Sequence, residues 1–217
     1  LSSATLASVG VFNSGFVQVD NGSALNLLGS TIAGGVVSDN GILRVTGDSA
    51  INAAAIFGGL ITVDSNKTLT LDNTTVTGST VTDSGTLRVD AGNTLNLSGV
   101  LLSGGLVINL GLIDIIGDSS ISSDTMSNVQ LTIGAGTTLT LNGTIILGGI
   151  VTDNGIIHVT GDSAINNAAI VGGQIILDDG FTLTLNGTTV TDTVIVDDGT
   201  IRIDVNQMRL LDGVALS

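Results

Sequence analysis

Nine positions along the chain open the same kind of turn, and seven of them are aspartates: Asp20, Asp39, Asp64, Asp83, Asp153, Asp178 and Asp197, with Asn109 and Gly134 completing the series. Recurring carboxylates admit two chemistries. Hard oxygen ligands set one above another are what Ca²⁺ takes, so the series is a candidate calcium ladder, and Ca²⁺ is the one cofactor the sequence suggests. An aspartate just before a glycine also turns its own side chain back onto a nearby backbone N–H and shapes an Asp-x-Gly turn. The turn role is favoured. The calcium-binding nonapeptide Gly-Gly-x-Gly-x-Asp is missing, and stacked carboxylates about 5 Å apart in water repel by somewhat under about 1 kcal/mol per pair.

A second series points outward from an alternating strand: Asn26, Arg44, Thr70, Arg88, Asp114, Thr140, His158, Thr184 and Arg202. Four cationic or imidazole groups at one shared repeat position argue against a unique catalytic constellation. They are expected to form a solvated stripe that pairs with Asp48, Asp90, Asp114, Asp162 or Asp204. His158 is the sole histidine, so a Ser-His-Asp triad has to use it, and no Gly-x-Ser-x-Gly elbow accompanies it. Thr68/Thr70, Thr138/Thr140 and Thr182/Thr184 resemble the Thr-x-Thr arrays of ice-binding solenoids, but Arg, Asp and His interrupt the face. No residue is assigned a catalytic role.

Composition narrows the partners. Nineteen acidic against five basic residues give a net charge of −14, which repels nucleic acid and anionic lipid. No apolar run reaches the roughly 18 residues that span a bilayer. Cysteine and proline are absent. No disulfide can form, and every backbone N–H remains able to pair with a neighbour.

The elements that position these groups follow from repetition. VVSDNGILRVTGDSAIN at 36–52 returns as IVTDNGIIHVTGDSAIN at 150–166, with a looser copy, TVTDSGTLRVDAGNTLN, at 80–96. Self-similarity of this kind marks a solenoid, in which each coil buries its apolar side only against its neighbours. Alternation between Gly, Asn and Asp turns predicts short strands with one side inward. The expected inward pairs are Leu25/Leu27, Leu43/Val45, Leu69/Leu71, Leu87/Val89, Ile113/Ile115, Leu139/Leu141, Ile157/Val159, Leu183/Leu185 and Ile201/Ile203. The expected fold is all-β, a right-handed parallel β-helix of about nine coils of alternating length, about 20 and 24 residues. Short coils begin at Phe16, Leu60, Gln130 and Gln174, and long ones near Val36, Thr80, Leu106, Ile150 and Val194. Residues 1–217 read as one solenoid domain, with 1–15 a partial coil, and as a segment of a longer array whose open ends stack on further coils or on copies of the chain.

Units such as VTDNGIIHVTGDSAIN and LDDGFTLTLNGTTVT resemble the repeats of very large bacterial surface proteins, including autotransporter passengers and filamentous-haemagglutinin-like adhesins. The resemblance covers nearly the whole chain. It implies export to the cell surface or medium and a role as a stalk or adhesive fibre that meets a surface glycan or protein receptor. Two other functions compete: a carbohydrate-active β-helix of the polysaccharide lyase or tailspike kind, and a fibre subunit that assembles end to end. The first needs an acid and base pair on loops that leave the repeat. Neither 90–105 nor the irregular ISSDTMSNV at 121–129 supplies a convincing one.

Overall fold

The computed structural model describes residues 3–204 and 210–216. It is an all-β solenoid of about ten coils, built from short parallel strands, with no helix among the described residues. Each coil carries three strands, one on each of three faces. The first face includes Ala24–Leu28, Ile42–Val45 and Leu60–Val63, the second Thr31–Ala33, Ser49–Asn52 and Thr68–Thr70, and the third Val36–Asp39, Ala55–Phe57 and Thr74–Thr77. The first face runs unbroken through twelve strands, from Ala4–Ala7 to Ala215–Leu216. The second and third faces join where Leu106–Ile115 and Thr125–Ile133 turn a corner as continuous strands, with an irregularity between Asn109 and Leu112.

Strict alternation puts every second side chain inside. The core is almost wholly Val, Ile and Leu, and eight of the nine expected inward pairs are buried, while Ile201 and Ile203 at the far end are partly buried against it. Branched aliphatics suit this narrow interior, where each rung must repeat the shape of the one below. The outward Phe12 and Phe16 are 93% and 79% exposed.

The length of a coil corrects the expected partition. Leu43 pairs with Leu25 on one side and Ile61 on the other, each eighteen residues away. The longest steps, such as Val81 to Leu102, take twenty-one. A 24-residue unit is therefore more than a coil. Residues 36–59 hold four strands, and Val36 already pairs with Ala55 inside that unit. The next unit then starts one face further round. Leu43 and Leu69 consequently lie in different columns: Leu43 stacks on the first face, whereas Leu69 pairs with Leu87 on the second. All three are buried.

Backbone bonds between coils continue through the corners, as in Leu60 N–H to Gly41 O at 3.1 Å and Thr80 N–H to Gly59 O at 3.0 Å. A proline at such a position breaks the ladder. Inward hydroxyls add a second bond. Thr74, Thr144 and Thr188 donate Oγ1–H to the carbonyls of Ile51, Ile121 and Ile165 in the preceding coil at 2.8, 2.7 and 2.6 Å.

Candidate functional site

The seven turn aspartates separate into two structural classes. Asp39, Asp83, Asp153 and Asp197 end a strand, and each accepts the N–H of the glycine two residues on, at 2.9, 2.8, 2.9 and 3.0 Å. Asn109 does the same for Gly111 at 3.2 Å. The side chain occupies an inward position of the alternation, so Asp39, Asp83 and Asp153 are buried at 0, 2 and 1% exposure. Room comes from the neighbouring coil. A Cβ on Gly59, Gly105 or Gly173 would run into the carboxyl of Asp39, Asp83 or Asp153 respectively.

Asp20, Asp64 and Asp178 instead open a wider turn, in which their carbonyls accept the N–H of Ser23, Lys67 and Phe181 at 3.0, 3.0 and 3.3 Å. Their side chains look outward. The register sets Val19 beside Asp39, Val63 beside Asp83 and Leu177 beside Asp197. The seven residues therefore gather as three neighbouring pairs, one carboxylate in and one out, with Asp153 above Gly134. They do not form one ladder. Among the described residues no group of three or more His, Cys, Asp or Glu is placed to hold a metal ion.

The outward cations are likewise divided, with Arg44 and His158 on the first face and Arg88 and Arg202 on the second. Each meets a carboxylate. Arg44 reaches Asp64 through Nε and Nη2 at 3.0 and 3.1 Å, and His158 Nε2 lies 2.8 Å from Asp178. Arg88 and Arg202 pair with Asp90 and Asp204 two residues on, the second at 2.8 Å. The aspartates of the wide turn thus supply two of the four partners, which the sequence reading had not assigned. Arg209 lies outside the described residues.

Sequence reading missed Asp124, within the irregular segment. It is 2% exposed, and neither carboxylate oxygen has a hydrogen-bond partner. Ser122 pairs with Ser103 and Ser103 with Thr82, so Asp124 stands level with Gly105 and Asp83 approaches from the coil beyond. Burial, then the charge of Asp83, pushes Asp124 up to about 7. Burial pushes Asp83 and Asp153 up to about 6, against the opposing effect of the glycine N–H bonds, and raises Asp39 as well. Raised carboxyl groups often mark acid catalysts, but these are sealed from any substrate.

No protein-family model, curated protein or solved structure matches the chain.

Proposed function

We propose that the chain is a non-catalytic structural and adhesive rod, part of a bacterial protein displayed at the cell surface or released outside the cell. The observation that carries this reading is the division of the ionisable groups. The carboxyls with strongly raised affinity for protons, Asp83, Asp124 and Asp153, are buried, and Arg44, Arg88, His158 and Arg202 on the outward strand positions each meet a carboxylate. A hydrolase or lyase needs its acid and base exposed together in a groove. What faces solvent here is a stiff, acidic sheet surface.

Length is the functional quantity of such a rod. At about 4.8 Å per coil, some ten coils span about 50 Å. Parallel strand edges accept further parallel coils, and stacking of this kind, on more of the same chain or on another copy, is the proposed way in which the rod gains length. A surface glycan or protein is the proposed receptor.

The test displays the chain on inert beads and measures adhesion to bacterial and animal cell layers, alongside its hydrodynamic shape. The reading predicts an elongated particle and adhesion above that of bare beads. A compact particle, or turnover of polysaccharide substrates by the purified chain, would overturn it.

A further inference from the structure

Two shallow grooves of about 420 and 300 Å³ lie on the second face, within the range of small-ligand sites. Every described residue lining the smaller groove has a counterpart in the larger, 114 positions earlier, as in Asp48 and Asp162, Ala50 and Ala164, or Arg88 and Arg202. That interval is six coils, so the grooves recur on one face about 29 Å apart along the axis. Their floors lie within two residues of the same strand position. Parallel stacking gives both the same orientation.

The floor is the outward methyl of Ala50 or Ala164, set beside the longer Thr70 or Thr184 of the next coil. One rim is a carboxylate fixed in place: Asp48 Oδ1 accepts the N–H of Thr68 at 2.9 Å, and Asp162 Oδ1 that of Thr182 at 2.8 Å. The other rim is the guanidinium of Arg88 or Arg202, steadied by Asp90 or Asp204. A guanidinium carries five N–H donors, more than one carboxylate takes up. Each groove therefore offers fixed acceptors and fixed donors around a small floor, on a backbone bonded to the coils on either side.

We propose that these grooves are paired subsites for an uncharged, polyhydroxylated glycan, one chain engaging both on the same face. A hydroxyl donates to Asp48 and accepts from Arg88 equally well. An anionic chain is opposed by the carboxylate rim of each groove and the net charge of −14, and an apolar peptide would leave the Asp, Thr and Arg polar groups around both floors unpaired. The proposal rests on the adhesive reading and names the ligand class for it.

Binding of the whole chain to immobilised mannan, galactan and β-glucan, with heparin and polygalacturonate as anionic contrasts, tests the proposal. Expected is binding to at least one neutral polysaccharide and to neither anion. Ala50→Tyr with Ala164→Tyr fills both floors without touching the core and is expected to weaken binding at least 100-fold. Either change alone is expected to cost about tenfold through lost bivalency and to halve the stoichiometry for short oligosaccharides. Arg88→Gln with Arg202→Gln is expected to weaken binding as well, and Thr82→Tyr, outward on the first face, to leave it unchanged. Circular dichroism melts establish that each variant folds. Preference for the anions, or neutral-glycan binding unaffected by the double tyrosine variant, overturns the proposal. If that variant still adheres to cells, the grooves are not the site and the adhesive rod stands. A wild-type chain that binds neither cells nor glycans sinks both.

Discussion

Asp83 packs against Gly105 from one side, and Asp124 stands level with Gly105 in the coil on the other, along the corner that joins the first and second faces. With glycine there, the intervening coil puts no side chain between two buried carboxyls. Both hold protons more tightly in the fold than an exposed aspartate does, because burial disfavours the charge and, for Asp124, the charge of Asp83 adds to it.

This relationship fixes a pH dependence. An unfolded aspartate titrates near 3.9, whereas Asp83 and Asp124 titrate near 6 and 7 in the fold. The folded state binds more protons at these two groups over that window, so their contribution to stability is greatest below about pH 4 and is lost as pH rises towards 7. Asp124 alone accounts for on the order of 4 kcal/mol at about 1.4 kcal/mol per unit. Urea melts at pH 4.5 and pH 8 are expected to show the higher midpoint at pH 4.5, with the difference reduced in Asp124→Asn. Equal midpoints for the native chain contradict this.

Glycines at the corners separate conformational strain from close approach. Gly173 has φ +65° and faces the Asp153 carboxyl, whereas Gly78 has φ +64° with nothing within 4 Å of an added Cβ. Gly78→Ala is expected to cost about 1–2 kcal/mol, the left-handed penalty alone. Gly173→Ala is expected to cost at least about 2 kcal/mol more, since a buried carboxyl or its coil must shift. Comparable losses in chemical denaturation would mean the approach to Asp153 is looser than described.

Ile157 and His158 are neighbours with opposite fates. Ile157 is fully buried, while the His158 side chain is 33% exposed and opposite a half-exposed Asp178. Ile157→Asp is expected to cost several kcal/mol by burying an unpaired charge and to unfold adjacent coils, because each coil is stabilised by its neighbours. His158→Ala is expected to stay within about 1 kcal/mol. Equal melting shifts for the two variants would contradict the inward and outward assignment.

The parts of this structure that were legible in the sequence are those governed by period-2 alternation. Leu25, Leu87 and Ile157 are inward wherever the coil boundary is drawn. Coil length was not legible, because Asp39 and Asp83 stand in nearly identical turns, Ser-Asp-Asn-Gly and Thr-Asp-Ser-Gly, yet sit at different corners. Similar sequence reports similar turns, whereas stacking is decided by how many strands lie between them. The two classes of aspartate merged for the same reason: Asp20 and Asp39 both precede Asn, but one follows an inward residue and the other is itself inward. Asp124 has no counterpart among those turns, and its partner lies two coils away.

The three-strand coil is the claim on which the rest depends. The chain has no cysteine, so engineered pairs report register without background. Arg44 lies directly beside Thr62 in the next coil, at a strand spacing of about 4.8 Å that suits a disulfide. Alignment by sequence unit places Thr70 there instead. Oxidation of the Arg44→Cys/Thr62→Cys chain is expected to crosslink it nearly completely, and the Arg44→Cys/Thr70→Cys chain hardly at all. The reverse result would contradict the register, and with it the corner that joins Asp83 to Asp124 and the recurrence of the two grooves on one face.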